Sequence, residues 1–291
     1  MREKPRRPLT SSLAEGAMQT RWIRVLLGMT VILAAFANAE VTWPESVAPE
    51  ESVYRRIDGR ELRAFIFPSQ RGPEGARPAI LMAQGGAWSR GTPEQLFRAA
   101  RHFSNNGFVP VVIEYRLADG RNSPAESFSD VCHALSYLRS NAERLGVLPS
   151  RIAAWGISSS AQLVAASATV GCGSQEGSLA NGGPDALLLV SPVVDAVADR
   201  LFRRLMEGHG SPASLSPAHT LTRRAAPVFI AQGEADEITP FQRSRAFCDR
   251  AQGLGGRCEL VAFEGRGHVL DRPSRDRALE LGAAFLRDIW Q

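Results

Sequence analysis

Residues 151–170, RIAAWGISSSAQLVAASATV, constrain this chain more than any other stretch. An apolar strand at Ile152–Trp155 turns sharply through Gly156, Ile157 and three serines. A helix of small residues follows from about Ala161. A serine on a tight strand-to-helix turn is held out of the sheet, with its hydroxyl exposed and helix-start amides beside it. Ser158 is the candidate nucleophile, because it alone of the three has a glycine two residues before it. The usual elbow is G-x-S-x-G, and here the last glycine is replaced by Ser160, with Ala161 after it. Both are small, so the crowded turn remains feasible. A serine-rich helix cap explains the same residues without chemistry, so the rest of the chain has to decide.

The apolar runs do so. Ser52–Ile57 and Glu61–Phe67 read as strands joined at the hairpin signal Asp58-Gly59. Ala79–Ala83, Val109–Tyr115, Ile152–Trp155 and Ala186–Val190 are continuous apolar segments, the pattern of strands buried on both faces of a parallel sheet. Residues 226–231 and 258–263 add two more. Helices are expected over about 93–103, 125–145, from 161, 241–251 and 275–290, with a polar, Arg-rich mixture of helix and loop over 195–226. Strands alternating with helices after a hairpin predict an α/β fold: a doubly wound, mostly parallel sheet of about eight strands with helices on both faces.

In open sheets of this kind sites lie beyond the carboxyl ends of the strands. After 79–83 comes Gln84-Gly85-Gly86-Ala87-Trp88, whose adjacent glycines let backbone amides approach a ligand oxygen. Gly85 and Gly86, with the amide of Ser159, form a candidate oxyanion hole. After 226–231 comes Gln232-Gly233-Glu234-Ala235-Asp236, and after 258–263 comes Glu264-Gly265-Arg266-Gly267-His268. A serine, an acid and a histidine thus follow three strands in that order. His268 takes the proton of Ser158, and Asp236 fixes the imidazole tautomer. Taken singly, His268 is an exposed loop histidine and Asp236 a helix cap; the argument rests on the three together.

These segments resemble the α/β-hydrolase superfamily, and more narrowly the carboxylesterases of the acetyl-esterase and hormone-sensitive-lipase-like type, over residues 50–290. The family's H-G-G-G-W is matched by Gln84–Trp88. Tyr115-Arg116-Leu117, Pro124-Ala125, Asp130, Ser191–Asp195, Ser216-Pro217, Gly233–Pro240 and Gly267-His268 match as well. Phe247-Cys248 and Arg257–Leu260 resemble a subgroup. Gln84 stands for the family's His, where its amide is expected to hydrogen-bond within the loop; Ala87 stands for the third Gly and Ser160-Ala161 for Gly-Gly. The resemblance implies a serine esterase with a small-molecule ester substrate and no cofactor or metal. The chain is too short ahead of the first glycine motif for a large helical cap, so the site is expected to be open, covered only by residues 195–226. Short acyl groups follow from a shallow site, acetyl esters of carbohydrates among them. An exopeptidase or thioesterase uses the same triad, and a non-catalytic binding protein on this fold is the reading of a different class.

Arg21 and Arg24, the apolar run Val25–Phe36 and the small-residue site Ala37-Asn38-Ala39 read as a secretory signal peptide. Cleavage after Ala39 is expected to leave a single domain over 40–291, secreted or periplasmic, with no stable membrane span. The 34 basic and 30 acidic residues fall to parity once residues 1–39, with six basic and two acidic, are removed. The mature part therefore gives no reason to expect nucleic-acid binding. Lys4 is the only lysine, which excludes Ser-Lys dyads, Schiff bases and phosphate-loop lysines from the mature part. None of Cys132, Cys172, Cys248 and Cys258 forms a C-x-x-C metal pair. Cys248 and Cys258, on a helix and the next strand, are placed to bridge; free buried thiols are the alternative for all four.

Overall fold

The computed structural model describes residues 48–70, 75–173, 182–223 and 225–291. The expected signal peptide lies outside the described residues. Ser46–Gln291 makes one compact unit, to which everything below belongs.

The elements in chain order are β1 (Glu50–Ile57), β2 (Arg60–Ile66), β3 (Arg77–Ala83), α1 (Phe97–Ser104), β4 (Val109–Ile113), α2 (Pro124–Ser140), β5 (Val147–Ile157), α3 (Ser159–Thr169), β6 (Ala186–Val190), α4 (Arg200–Leu205), α5 (Pro217–Thr220), β7 (Val228–Gly233), α6 (Phe241–Gly253), β8 (Cys258–Phe263) and α7 (Arg272–Ile289). The eight strands form one sheet in the order β1-β2-β4-β3-β5-β6-β7-β8. β1 and β2 form the antiparallel hairpin turned at Asp58 and Gly59, both at positive φ. β2 meets β4 antiparallel, and from β4 to β8 every pairing is parallel.

The central strands are apolar throughout because both faces are covered. Side chains alternate across a strand, so Ala79, Leu81 and Ala83 of β3 enter one core with α2, α3 and α6. Ile80 and Met82 enter the other with α1 and α7. Boundaries shift where local chemistry outweighs pattern. α2 stops at Ser140, short of the expected 145, at a cap on Asn141 followed by a turn ending at Gly146 with φ +61°. α7 starts at Arg272 rather than 275, because the Asp271 carboxylate accepts from the Ser274 amide at 3.0 Å and Pro273 suits the first turn.

Two disulfides clamp the outer layers. Cys248 of α6 joins Cys258 of β8, and Cys132 of α2 joins Cys172 just beyond α3. The second pairing spans 40 residues of sequence and was not anticipated by proximity along the chain. Inside, fully buried Asp130 of α2 accepts from the Arg116 amide at 2.8 Å and from its guanidinium at 2.9 and 3.0 Å, and also pairs with Arg55. Such a buried charge is tolerated because every oxygen has a donor. It fixes the turn after β4, and with it Tyr115, whose hydroxyl reaches the next loop described below.

Candidate active site

β5 delivers Ser158 to the rim of the sheet at φ 57° and ψ −117°, a conformation that costs a non-glycine residue about 1–3 kcal/mol. The surroundings hold it there. The Ser158 amide donates to Val190 O at 2.9 Å, and the Val193 amide donates back to Ser158 O at 3.4 Å. Gly156 is required by space, since a Cβ would lie 2.6 Å from the Ala161 nitrogen where α3 crosses. Ser160, standing for the usual glycine, uses its hydroxyl. It accepts from the Ile157 amide at 2.9 Å and donates to Ala83 O at 2.7 Å, stitching β3 to the elbow.

His268 and Asp236 arrive from the ends of β8 and β7. His268 Nε2 stands 2.9 Å from Ser158 Oγ, and Nδ1 stands 3.0 and 3.2 Å from the two Asp236 oxygens. An ionised carboxylate only accepts, so Nδ1 carries the proton and Nε2 presents a lone pair to the serine. Asp236 is 4% exposed. Burial works to raise its pKa, but hydrogen bonds from His268, from the side chain and amide of Thr239 and from Gln232 outweigh it. The carboxyl is held below its ordinary range. Thr239 Oγ1 donates to Oδ2 at 2.7 Å, Gln232 Nε2 to the same oxygen at 3.0 Å, and the amides of Ile238 and Thr239 to Oδ1 at 3.0 and 2.9 Å. The cap-like run Asp236–Thr239 is therefore both a cap and a carboxylate clamp. Ser191, at φ 44° and fully buried, donates to His268 O at 2.9 Å. Gln232, Thr239 and Ser191 lie in segments that the sequence singled out, at the ends of apolar strands, but their roles around the triad were not legible there.

The loop after β3 approaches Ser158 from the other side. A Cβ on Gly85 would meet Ile157 O at 2.6 Å, and one on Gly86 would meet Arg90 O at 2.0 Å. Gly86, Ala87 and Trp88 have φ of 141°, 54° and 61°. Three successive positive φ values explain why glycine suits this loop and why Ala87 is a strained replacement. The Gly86 amide is already engaged: it donates to Ser159 Oγ at 3.1 Å. Gln84 departs from expectation. Its side-chain oxygen is buried and meets no donor among the described residues, and the loop is instead anchored through its backbone carbonyl, which accepts from Tyr115 Oη at 2.6 Å.

Among solved structures, a thermophilic esterase, Est2 of Thermogutta terrifontis, superposes with a TM-score of 0.76 at 30% identity, covering 84% of this chain and 96% of that one. The chain belongs to the α/β-hydrolase carboxylesterases. A family model described as BD-FAE matches residues 66–199, and that of the prolyl oligopeptidase family matches residues 186–289. The isoprenylcysteine alpha-carbonyl methylesterase of Arabidopsis thaliana is 24% identical over 86% of this chain, which spans 64% of that relative's length.

In this carboxylesterase residues of the 195–226 segment pack against α3 and the glycine loop. Trp88 packs on Phe202 of α4 with ring centroids 5.1 Å apart. Gln162, fully buried on α3, accepts from Trp88 Nε1 at 2.9 Å and donates to Leu215 O at 2.6 Å. It thereby ties the glycine loop, the nucleophile helix and the covering segment together. Gln162 was missed because a glutamine in a helix of small residues reads as surface. On the α1 and α7 face lies a cavity of about 200 Å³ lined by Leu96, Trp155, Ile157, Val190 and Leu279 together with Gln95, Arg98 and Arg275; no triad residue lines it. Among the described residues no cluster of His, Cys, Asp or Glu suits a metal ion, and no helix is long and apolar enough to cross a membrane.

Proposed function

We propose that this protein is an exported serine hydrolase that cleaves short-chain carboxylic esters through an acyl-enzyme on Ser158. The observation that carries the reading is the continuous hydrogen-bonded chain from Ser158 through His268 to Asp236, with 2.9 Å at one end and 3.0 Å at the other. His268 Nε2 takes the proton as Ser158 Oγ adds to the carbonyl carbon. The imidazolium is stabilised by Asp236, which stays ionised below the ordinary carboxylate range. The Ser159 amide, at the start of α3, is the donor we assign to the developing oxyanion. His268 then protonates the departing alcohol, and a water attacking by the same route releases the acid.

Short acyl groups are favoured by the likeness to an esterase solved with propionate and with butyrate bound. Acetyl esters of carbohydrates are the natural class we assign within that range. Export is supported by the signal-like residues 1–39 and by two disulfides, which suit an oxidising compartment. A peptidase reading draws on the prolyl oligopeptidase match, but residues 186–289 hold the acid and the base, which esterases and peptidases share.

The test is hydrolysis of p-nitrophenyl esters from acetate to decanoate, beside amino-acid p-nitroanilides, by the wild type and Ser158→Ala. Turnover confined to the short esters and lost in the variant is expected. Equal rates in the two proteins would remove Ser158 from the mechanism, and preferential cleavage of the anilides would make the enzyme a peptidase. Cell fractionation with the intact N-terminus checks export; protein retained in the cytoplasm at full length would refute it.

A further inference from the structure

Ser159 does more than supply its amide. Its side chain is 1% exposed, and its one hydrogen bond among the described residues is accepted from the Gly86 amide at 3.1 Å. A hydroxyl that accepts still has a proton to donate. No acceptor for that proton is present among the described residues, although buried donors are normally matched. The neighbouring serine shows the contrast, for Ser160 both accepts and donates within the protein. Ser159 sits directly after the nucleophile, on the first residue of α3, and its hydroxyl meets the glycine loop after β3 through the Gly86 amide.

We propose that the Ser159 hydroxyl is itself a donor to the oxyanion, backed by the Gly86 amide. This rests on the serine-hydrolase reading and deepens it. In this arrangement the hole holds the Ser159 amide and the Ser159 hydroxyl, and Gly86 acts one step removed by donating into Oγ. A donor that is itself accepting a hydrogen bond is polarised and donates more strongly. The Gly86 amide cannot swing away easily. Its φ of 141° and the Arg90 carbonyl, where a Cβ would stand at 2.0 Å, keep the loop curled, and the Ser89 and Arg90 amides both donate to Gly86 O. A side chain in this position also explains how the loop accommodates Ala87: the hole does not depend on every amide of the glycine run being turned inward.

The alternative is that Ser159 merely holds Gly86 in place, and the two roles predict opposite signs. If the hydroxyl donates to the oxyanion, Ser159→Ala removes a donor. If it only holds the loop, the same change releases the Gly86 amide to the oxyanion. A trifluoromethyl ketone carrying a short alkyl chain forms a hemiketal with an activated serine, and ¹³C NMR of the labelled carbonyl carbon reports the pKa of that hemiketal oxyanion. In Ser159→Ala we expect this pKa to rise by about one unit or more. We expect kcat on p-nitrophenyl acetate to fall about 10- to 100-fold with KM within about twofold, in line with loss of one oxyanion donor. An unchanged or lowered hemiketal pKa overturns the proposal, whatever happens to kcat. A wild type that forms no hemiketal overturns the serine-hydrolase reading itself, and this proposal with it.

Discussion

Replacing Ser160 with alanine tests whether its hydroxyl stabilises the elbow. The residue is fully buried. Its hydroxyl accepts from the Ile157 amide at 2.9 Å, donates to Ala83 O at 2.7 Å, and has Ile157 O within 3.0 Å. Ser160→Ala keeps the Cβ and the helix propensity, so packing against Gly156 is unchanged and the hydroxyl alone is removed. One net hydrogen bond is worth about 1 kcal/mol, and leaving the Ile157 amide buried without an acceptor costs about 1–3 kcal/mol. The expected loss is therefore about 2–3 kcal/mol, which at about 2–4 °C per kcal/mol lowers the melting temperature by roughly 4–12 °C.

The assay is urea unfolding of both proteins with the m-value compared, followed by kcat on p-nitrophenyl acetate at a temperature where both are folded. Unchanged m with a lower midpoint places the loss in the native state. Because Ile157 immediately precedes Ser158, we expect kcat to fall by at least threefold as the nucleophile gains freedom. A stability change below about 0.5 kcal/mol, within the ordinary scatter of harmless substitutions, would show that the elbow relaxes to satisfy Ile157 by another route and would refute the reasoning.

Asp236→Asn is expected to leave the protein folded and to lower kcat by about 10⁴-fold, since the amide offers the imidazole the wrong partner; a rate within tenfold of the wild type would move the acid role elsewhere. The same pair of proteins tests linkage. The Asp236 pKa is lower folded than unfolded, so its contribution is present above the ordinary carboxylate range and is lost as pH falls through the folded value. The wild type's stability advantage over the variant should shrink on acidification, and a gap that is constant with pH would contradict it. Cys132→Ser should lower stability by up to about 4 kcal/mol and Cys248→Ser by up to about 3 kcal/mol, from loop separations of 40 and 10 residues. Urea midpoints insensitive to both substitutions would show the bridges to be energetically idle.

The sheet was readable because buried parallel strands cannot be anything but apolar runs, and Ala79–Ala83, Val109–Ile113 and Ala186–Val190 are such runs. The triad was readable because each member follows a strand. Partnerships between distant polar side chains were not. Gln162 reaching Trp88 and Leu215, or Thr239 clamping Asp236, depends on which loops the strand order brings together, and a β2-β4-β3 arrangement is not written in local pattern. Ser160 shows the limit from the other side. Its departure from glycine reads in the sequence only as a tolerable gain in bulk, and the structure turns the extra oxygen into two backbone hydrogen bonds. Gln84 went the opposite way: the amide expected to bond within the loop leaves its oxygen without a donor among the described residues.

What positions the triad is less the loops themselves than one residue between them. Ser191 follows β6 at φ 44°, and its amide donates to Ala231 O of β7 at 3.0 Å. Its hydroxyl donates to His268 O at 2.9 Å, and its carbonyl lies 3.2 Å from Thr239 Oγ1, the hydroxyl that donates to Asp236. The residue before it, Val190, accepts from the Ser158 amide at 2.9 Å. The serine and histidine loops are thus each one hydrogen bond, and the acid loop one close polar contact, from the end of a fully apolar strand. The strain at Ser191 and Ser158 is held by a sheet too well packed to yield. Loops supply the chemical groups, and the end of β6 supplies the distances between them; that division is why small-residue substitutions in the elbow and glycine loop coexist with an aligned triad.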